Sequence, residues 1–132
     1  MRYTEIDAHD EALISAAIDA LRRNYQEDRH TVGAAIRCAS GKIYTGVNIE
    51  SCGYGPCAEP VALGTAITQG EREFIAVVAV CRREDAYGIL PPCGNCRQML
   101  LNYAPDAYVI LEQDGKRVKV AVKELLPCPY TG

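Results

Sequence analysis

The stretch EFIAVVAVC, residues 73–81, is a nearly unbroken apolar run in a chain of 132 residues. A run of that length without alternation reads as a strand buried on both faces, and such a strand needs a covering layer on each side of its sheet. The flanking segments supply those layers. DAHDEALISAAIDALRRNY carries Leu13, Ile14, Ala17, Ile18 and Leu21 at the spacing of an amphipathic helix. TVGAAIRCASGKIYTGVNI reads as two strands joined by a tight turn at Ala39-Ser40-Gly41-Lys42. PCAEPVALGTAITQG is a helix with Pro56 near its start and Gly70 past its end, and PPCGNCRQMLLNYAP is a second proline-led helix stopped before Pro105. AYVILE and RVKVAV, joined by QDGK, add two strands, and KELLPCPYTG is a helical turn with a tail. The expected fold is α/β: a three-layer α/β/α sandwich around a mixed five-stranded sheet. Residues 1–132 are expected to form one catalytic domain, with no repeat, linker or low-complexity segment.

Composition excludes several classes. The chain is 48% hydrophobic and 23% charged, with a net charge of −3 and a calculated pI near 5.4. A nucleic-acid partner is not expected, because strand-binding surfaces need a basic excess and aromatic platforms. No membrane association is expected either, since no apolar run approaches the roughly 20 residues that span a bilayer. MRYTEIDAHDEALIS has acids and no apolar core, unlike a signal peptide. The expected location is cytoplasmic. Seven cysteines, an odd number without a secretion signal, point to reduced thiols or metal ligands rather than disulfides.

Cys57 opens one helix, and Cys93 and Cys96 open the other. Two residues between cysteines let one helical turn present both sulfurs to one ion, and a helix N-terminus favours the thiolate. Three thiolates leave one position of a tetrahedral Zn²⁺ open to water, as in catalytic rather than structural zinc sites. Zinc lowers the pKa of such a water to roughly 7. Glu59, two residues beyond Cys57, is placed to move protons beside the metal without ligating it. Arg97 and Gln98, just after Cys96, are expected to brace the zinc-binding loops through hydrogen bonds. A C-x-E element followed by P-C-x-x-C is the zinc-deaminase arrangement.

These motifs resemble the cytidine deaminase family, with features of its blasticidin-S deaminase branch. VGAAI, GKIYTGVNIE, CAE, PCGNCRQML and the closing ELLP followed by an aromatic fall in the family's order across residues 32–130. The resemblance implies that Cys57, Cys93 and Cys96 hold one zinc per chain. It implies that Glu59 shuttles protons as water attacks C4 of a cytosine nucleoside, releasing ammonia and converting cytidine or deoxycytidine to uridine or deoxyuridine, as in pyrimidine salvage. Asn48 and Glu50 match the family pair that binds the ribose hydroxyls, and Thr31 and Ala58 are expected to be substrate-binding residues with them. Tyr54 becomes a substrate-loop contact. Tyr130 is expected to close a pocket, and family members of this length generally form homotetramers.

Three departures bear on the substrate. Only eight residues separate Asn48 from Cys57, as in the blasticidin branch. Thr31 stands where an aromatic base contact usually precedes VGAA, and Pro60 replaces the usual arginine after CAE. Arg97 or backbone N–H groups are the available substitutes for that missing cation. A cytosine nucleoside is the first reading, and an analogue such as blasticidin S is the alternative.

Blander readings stand beside these. The three cysteines could be core thiols, CGNC could be a redox pair, or Cys52 or Cys128 could complete a structural zinc site. Cys38 and Cys81 read as buried hydrophobes, and His9 and His30 as exposed residues without metal spacing. Asn48 with Glu50 could be a solvated strand end, Tyr54 a turn residue, Tyr130 part of a loose tail and Arg97 a surface residue. A zinc-stabilised binding module is the non-enzyme alternative, but it has no need of an unligated carboxylate beside the metal.

Overall fold

The computed structural model describes residues 1–132 and packs three helices against one mixed, seven-stranded sheet. The strands are β1 (Thr4–Glu5), β2 (Val32–Cys38), β3 (Ile43–Val47), β4 (Phe74–Arg83), β5 (Ala86–Leu90), β6 (Tyr108–Gln113) and β7 (Lys116–Ala121). The helices are α1 (Ala8–Asn24), α2 (Ala58–Thr68) and α3 (Gly94–Tyr103), and a 3-10 turn covers Val122–Leu125. The strand order is β1-β7-β6-β4-β2-β3, with β5 added to β4. Only β4 and β6 run parallel, in the register Ala76 to Tyr108 and Val77 to Val109.

β4 is the central strand, and both of its faces are covered. Val77 and Ala79 face a core completed by Ala58, Ala62 and Leu63 of α2 and Leu100 of α3. Ala76, Val78 and Val80 face the opposite core, closed by Leu13, Ile14, Ala17 and Leu21 of α1. Helices on both faces therefore satisfy the two-sided burial that the apolar run requires. Gly46 lets β3 approach α2 closely: a Cβ there would stand 2.6 Å from the Ala62 backbone nitrogen. That contact seats the N-terminal half of α2 against the sheet. No helix is long and apolar enough to cross a membrane.

The sheet has seven strands where five were expected. β1 is two residues long and pairs with β7 through Thr4–Lys119 and Glu5–Val118, too short to show a period in sequence. β5 folds back on β4 through the two-residue loop Glu84-Asp85. Such loops usually announce themselves with Asn-Gly or Asp-Gly. Here Glu84 adopts the left-handed backbone, at φ 54°, without either signal.

α1 is anchored by a buried acid. Asp7 caps the helix and Asp10 completes the capping box, each carboxylate accepting from the other's backbone N–H at 3.0 Å. Asp10 is fully buried, and Lys119 of β7 donates to its Oδ2 at 2.9 Å. Arg37 of β2 lies 3.5 Å from its Oδ1. The hydrogen bond to Asp10 holds the Lys119 ammonium above its ordinary value of 10.5, against the opposing effect of desolvation. This contribution is full below pH 10.5 and is lost as pH rises through the higher folded value. Asp10→Ala strands two half-buried cations and is expected to cost about 3–5 kcal/mol of stability in urea denaturation.

Candidate active site

Two helix N-termini converge on one cavity. Cys57 is the N-cap of α2 and Cys93 the N-cap of α3, with Cys96 in the first turn of α3. Pro56 thus stands before α2 and Pro92 before α3, fixing the chain's approach to each cap. Pro60 falls in the first turn of α2, where its missing N–H would have no helical partner.

The Cys57 and Cys93 sulfurs lie 3.7 Å apart, and the ligand atoms of Cys57, Cys93 and Cys96 all lie within 4.8 Å of one another. A tetrahedral zinc with sulfurs at about 2.3 Å sets them about 3.8 Å apart, so the donor set fits zinc in type and spacing. The three thiols could hold one ion per chain. All seven cysteines are free thiols, so no disulfide competes for these three.

The thiols differ in their surroundings. Burial pushes the Cys57 thiol up, and its neighbour Cys93 adds to the shift. Cys93 also loses hydration, but hydrogen bonds from the Cys96 backbone and side chain, Cys57 and the Asn95 backbone outweigh it and hold the thiol low. Cys96 is fully buried, and burial followed by the Glu59 charge drives its thiol upward. Backbone N–H groups at the start of α3 therefore provide the stabilisation of negative charge that the residue after Glu59 cannot. Arg97 does not touch the sulfurs. Its Nε donates to Pro92 O at 2.8 Å and its Nη1 to Leu125 O at 3.1 Å, tying the loop before Cys93 to the 3-10 turn.

Glu59 is 6% exposed, and burial raises its carboxyl above the usual carboxylate range, with its own backbone N–H and the Cys96 thiol pulling it partly back. A carboxylate whose affinity for a proton is raised by burial is suited to taking and returning one during a reaction. It shares a cavity of about 270 Å³ with Thr31, Asn48, Glu50, Cys57, Ala58 and Cys93, all singled out in the sequence. Val32, Gly55, Pro56, Ala79, Leu90 and Pro91 complete the wall. Leu90 and Pro91 were not foreseen because they arrive with β5, the strand without a turn signal. The wall has two carboxylates and no lysine, arginine or aromatic side chain.

Other expected residues lie elsewhere. Tyr54 and Tyr130 are 72% and 77% exposed and do not line the cavity of this chain. Gln98 does not reach the cysteine loops. Its Nε2 donates to Tyr130 O and to Asn102 Oδ1, both at 3.1 Å, and Tyr130 N donates to its Oε1 at 3.3 Å, so it holds the C-terminal tail on α3. His9 is exposed, as expected, but His30 is half-buried and hydrogen-bonded, not free. Cys38 is buried in the core, where burial raises its thiol to about 11, while Cys81 is only half-buried.

The family model for the cytidine and deoxycytidylate deaminase zinc-binding region matches residues 7–112. The chain belongs to the cytidine and deoxycytidylate deaminase family. It is 36% identical to a blasticidin-S deaminase of Bacillus cereus, over 99% of both chains. It is 38% identical to a cytidine deaminase of Halalkalibacterium halodurans, over 90% of this chain and 92% of that one. A crystal structure of cytidine deaminase from Burkholderia pseudomallei superposes with a TM-score of 0.76 at 32% identity, covering 95% of this chain and all of the other. The fold, the zinc-binding domain and the aminohydrolase class of enzyme follow from this membership.

Metal analysis is expected to return one zinc per chain. Cys93→Ala and Cys96→Ala are each expected to lower that content, and Cys52→Ala to leave it unchanged. A Cys52→Ala protein that loses its metal would show a fourth protein ligand and a structural zinc.

Proposed function

We propose that the chain hydrolytically deaminates a cytosine nucleoside, cytidine or deoxycytidine, giving the uracil product and ammonia. The observation that carries this reading is the buried Glu59 carboxyl beside three clustered thiols in a cavity sized for one small molecule. In this reading Cys57, Cys93 and Cys96 hold the zinc, which when bound supplies the Lewis acidity that makes water acidic near neutral pH. Glu59 Oε takes a proton from the attacking water. The C4–O bond forms, and the same carboxyl returns protons to the base and to the departing amine as the C4–N bond breaks. Water contributes its oxygen to the product, and nitrogen leaves as ammonia. Asn48 and Glu50 orient the sugar hydroxyls, Thr31 and Ala58 lie against the substrate, and Arg97 keeps the Cys93 loop in place.

A second reading has a specific support of its own. The likeness to a blasticidin-S deaminase runs the full length of both chains, and the cavity wall lacks any aromatic side chain. A cytosine nucleoside analogue such as blasticidin S is therefore the alternative substrate within the same reaction. A nucleic-acid substrate is disfavoured by the net charge of −3 and the cation-free wall. Seven free thiols fit a reducing compartment, and the cytoplasm is the proposed location.

The proposed assembly is a homotetramer. Its support is the uncharged outer side of α2, with Gly64, Thr65 and Thr68 exposed, and the exposed large side chains of Ile49, Tyr54 and Tyr130. In this assembly a partner copy covers these surfaces and completes the pocket. Light scattering on a sizing column is expected to give four chains, and a monomer that retains full activity would refute the shared pocket.

Glu59→Gln is expected to keep zinc and fold while lowering kcat by about a hundredfold or more. A mutant as active as the parent would overturn the mechanism, and a binding module would be indifferent to the change. An ammonia-release assay over cytidine, deoxycytidine, free cytosine, 5-methylcytidine and blasticidin S ranks the substrates. Turnover of blasticidin S alone would reverse the order of the two readings and leave the reaction type intact.

A further inference from the structure

His30 lies outside the cavity wall, one residue before Thr31, and its Nδ1 is 2.8 Å from the backbone oxygen of Asn48. A carbonyl oxygen can only accept, so Nδ1 carries the hydrogen and donates it. The imidazole is carried on a closed turn. Gln26 N donates to His30 O at 3.1 Å and His30 N to Gln26 O at 2.8 Å.

Asn48 is gripped from two further directions. Its Oδ1 accepts from the N–H groups of Thr31 at 2.8 Å and Val32 at 2.9 Å, and its own N–H donates to Val32 O at 3.2 Å. Its remaining group, Nδ2, donates to Glu50 Oε2 at 3.1 Å. The bonds thus run from His30 through Asn48 to the Glu50 carboxylate. β3 ends at Val47 and the Asn48 N to Val32 O bond is the last of its pairing with β2, so no strand ladder holds Ile49 or Glu50. Beyond Asn48 the loop gains one further backbone tie, from Ile49 N to Pro56 O at 3.0 Å.

We propose that His30 is a positioning residue for the sugar side of the cavity. Its Nδ1–H fixes the Asn48 backbone, so that the Asn48 amide occupies Glu50 Oε2 and leaves Oε1 for a substrate hydroxyl. The inference rests on the assignment of Asn48 and Glu50 to the sugar made above. Losing the His30 bond loosens the shelf that orients the hydroxyls and leaves the cysteines and Glu59 untouched. It therefore acts on binding of the nucleoside and not on the chemical step.

The test is steady-state kinetics on zinc-loaded protein, with cytidine as substrate and free cytosine as substrate or competitor. His30→Ala is expected to raise KM for cytidine about two- to tenfold, the loss of one neutral hydrogen bond. The change in kcat is expected to stay below about twofold, and the affinity for free cytosine, which has no sugar, to stay at the parent value. His30→Asn, whose amide N–H stands near the position of Nδ1, is expected to restore KM, and His30→Gln, with its amide one carbon further out, is not. The Asn and Gln pair carries the test if the alanine variant does not fold.

An unchanged cytidine KM, an equal loss for cytidine and cytosine, or a fall in kcat alone would overturn the inference. Glu50→Gln separates the two levels. If it raises KM while His30→Ala does not, His30 is not the positioning residue and the sugar assignment stands. If neither variant moves KM, or the parent does not deaminate cytidine, the assignment beneath fails and this inference with it.

Discussion

The Cys57 and Cys93 sulfurs stand 3.7 Å apart across 36 residues of sequence, and most of the fold serves that separation. Each sulfur sits at the N-terminus of a helix, and both helices lie on the same face of β4. Gly46 lets β3 approach α2, the helix that Cys57 caps, at Val61 and Ala62. β5 runs back along β4 and delivers Pro91 and Pro92, which sets Cys93. Arg97 then ties Pro92 to the 3-10 turn, which anchors the chain just before the second helix start. Holding the geometry of the three thiols in advance spares binding energy that would otherwise go into ordering the chain.

The electrostatics follow from the same convergence. Unpaired N–H groups at the helix starts favour negative sulfur, and those of Asn95 and Cys96 do so for Cys93. Burial works in the opposite direction on Cys57, Cys96 and Glu59, raising each. A cavity wall with two carboxylates and no cationic side chain is therefore a place where positive charge is wanted. A divalent ion answers that need, and the spacing of the sulfurs fits zinc. Pro60, which cannot offer a charge, costs the helix nothing in its first turn.

The chemistry of this site was legible in the sequence because its elements are short-range. Cys57 with Glu59, and Cys93 with Cys96, lie within one helical turn of each other, and the prolines mark where those turns begin. The covered central strand was legible for a similar reason, since eight consecutive nonpolar positions leave no polar face. β5 was not legible, because its turn uses Glu84 and Asp85 in a conformation that neither residue advertises. Nor was Asp10, whose carboxylate looks like an ordinary helix-start acid until β2 and β7 bring Arg37 and Lys119 against it. His30 read as exposed and without metal spacing, yet it is half-buried and its partner is a backbone carbonyl 18 residues away.

The sequence by itself determined the layered α/β fold, and it singled out the three cysteines that cluster as a possible metal site and the acid proposed as proton carrier, because periodicity and local spacing encode them. Tertiary structure alone decided which side chains wall the cavity, that its wall is acidic and free of aromatic groups, and that Tyr54, Tyr130 and Gln98 stand apart from it. Those outcomes depend on strands and loops distant in the chain meeting at one place. A hydrogen bond such as His30 to Asn48, or a burial such as that of Glu59, exists only once the backbone has closed around it.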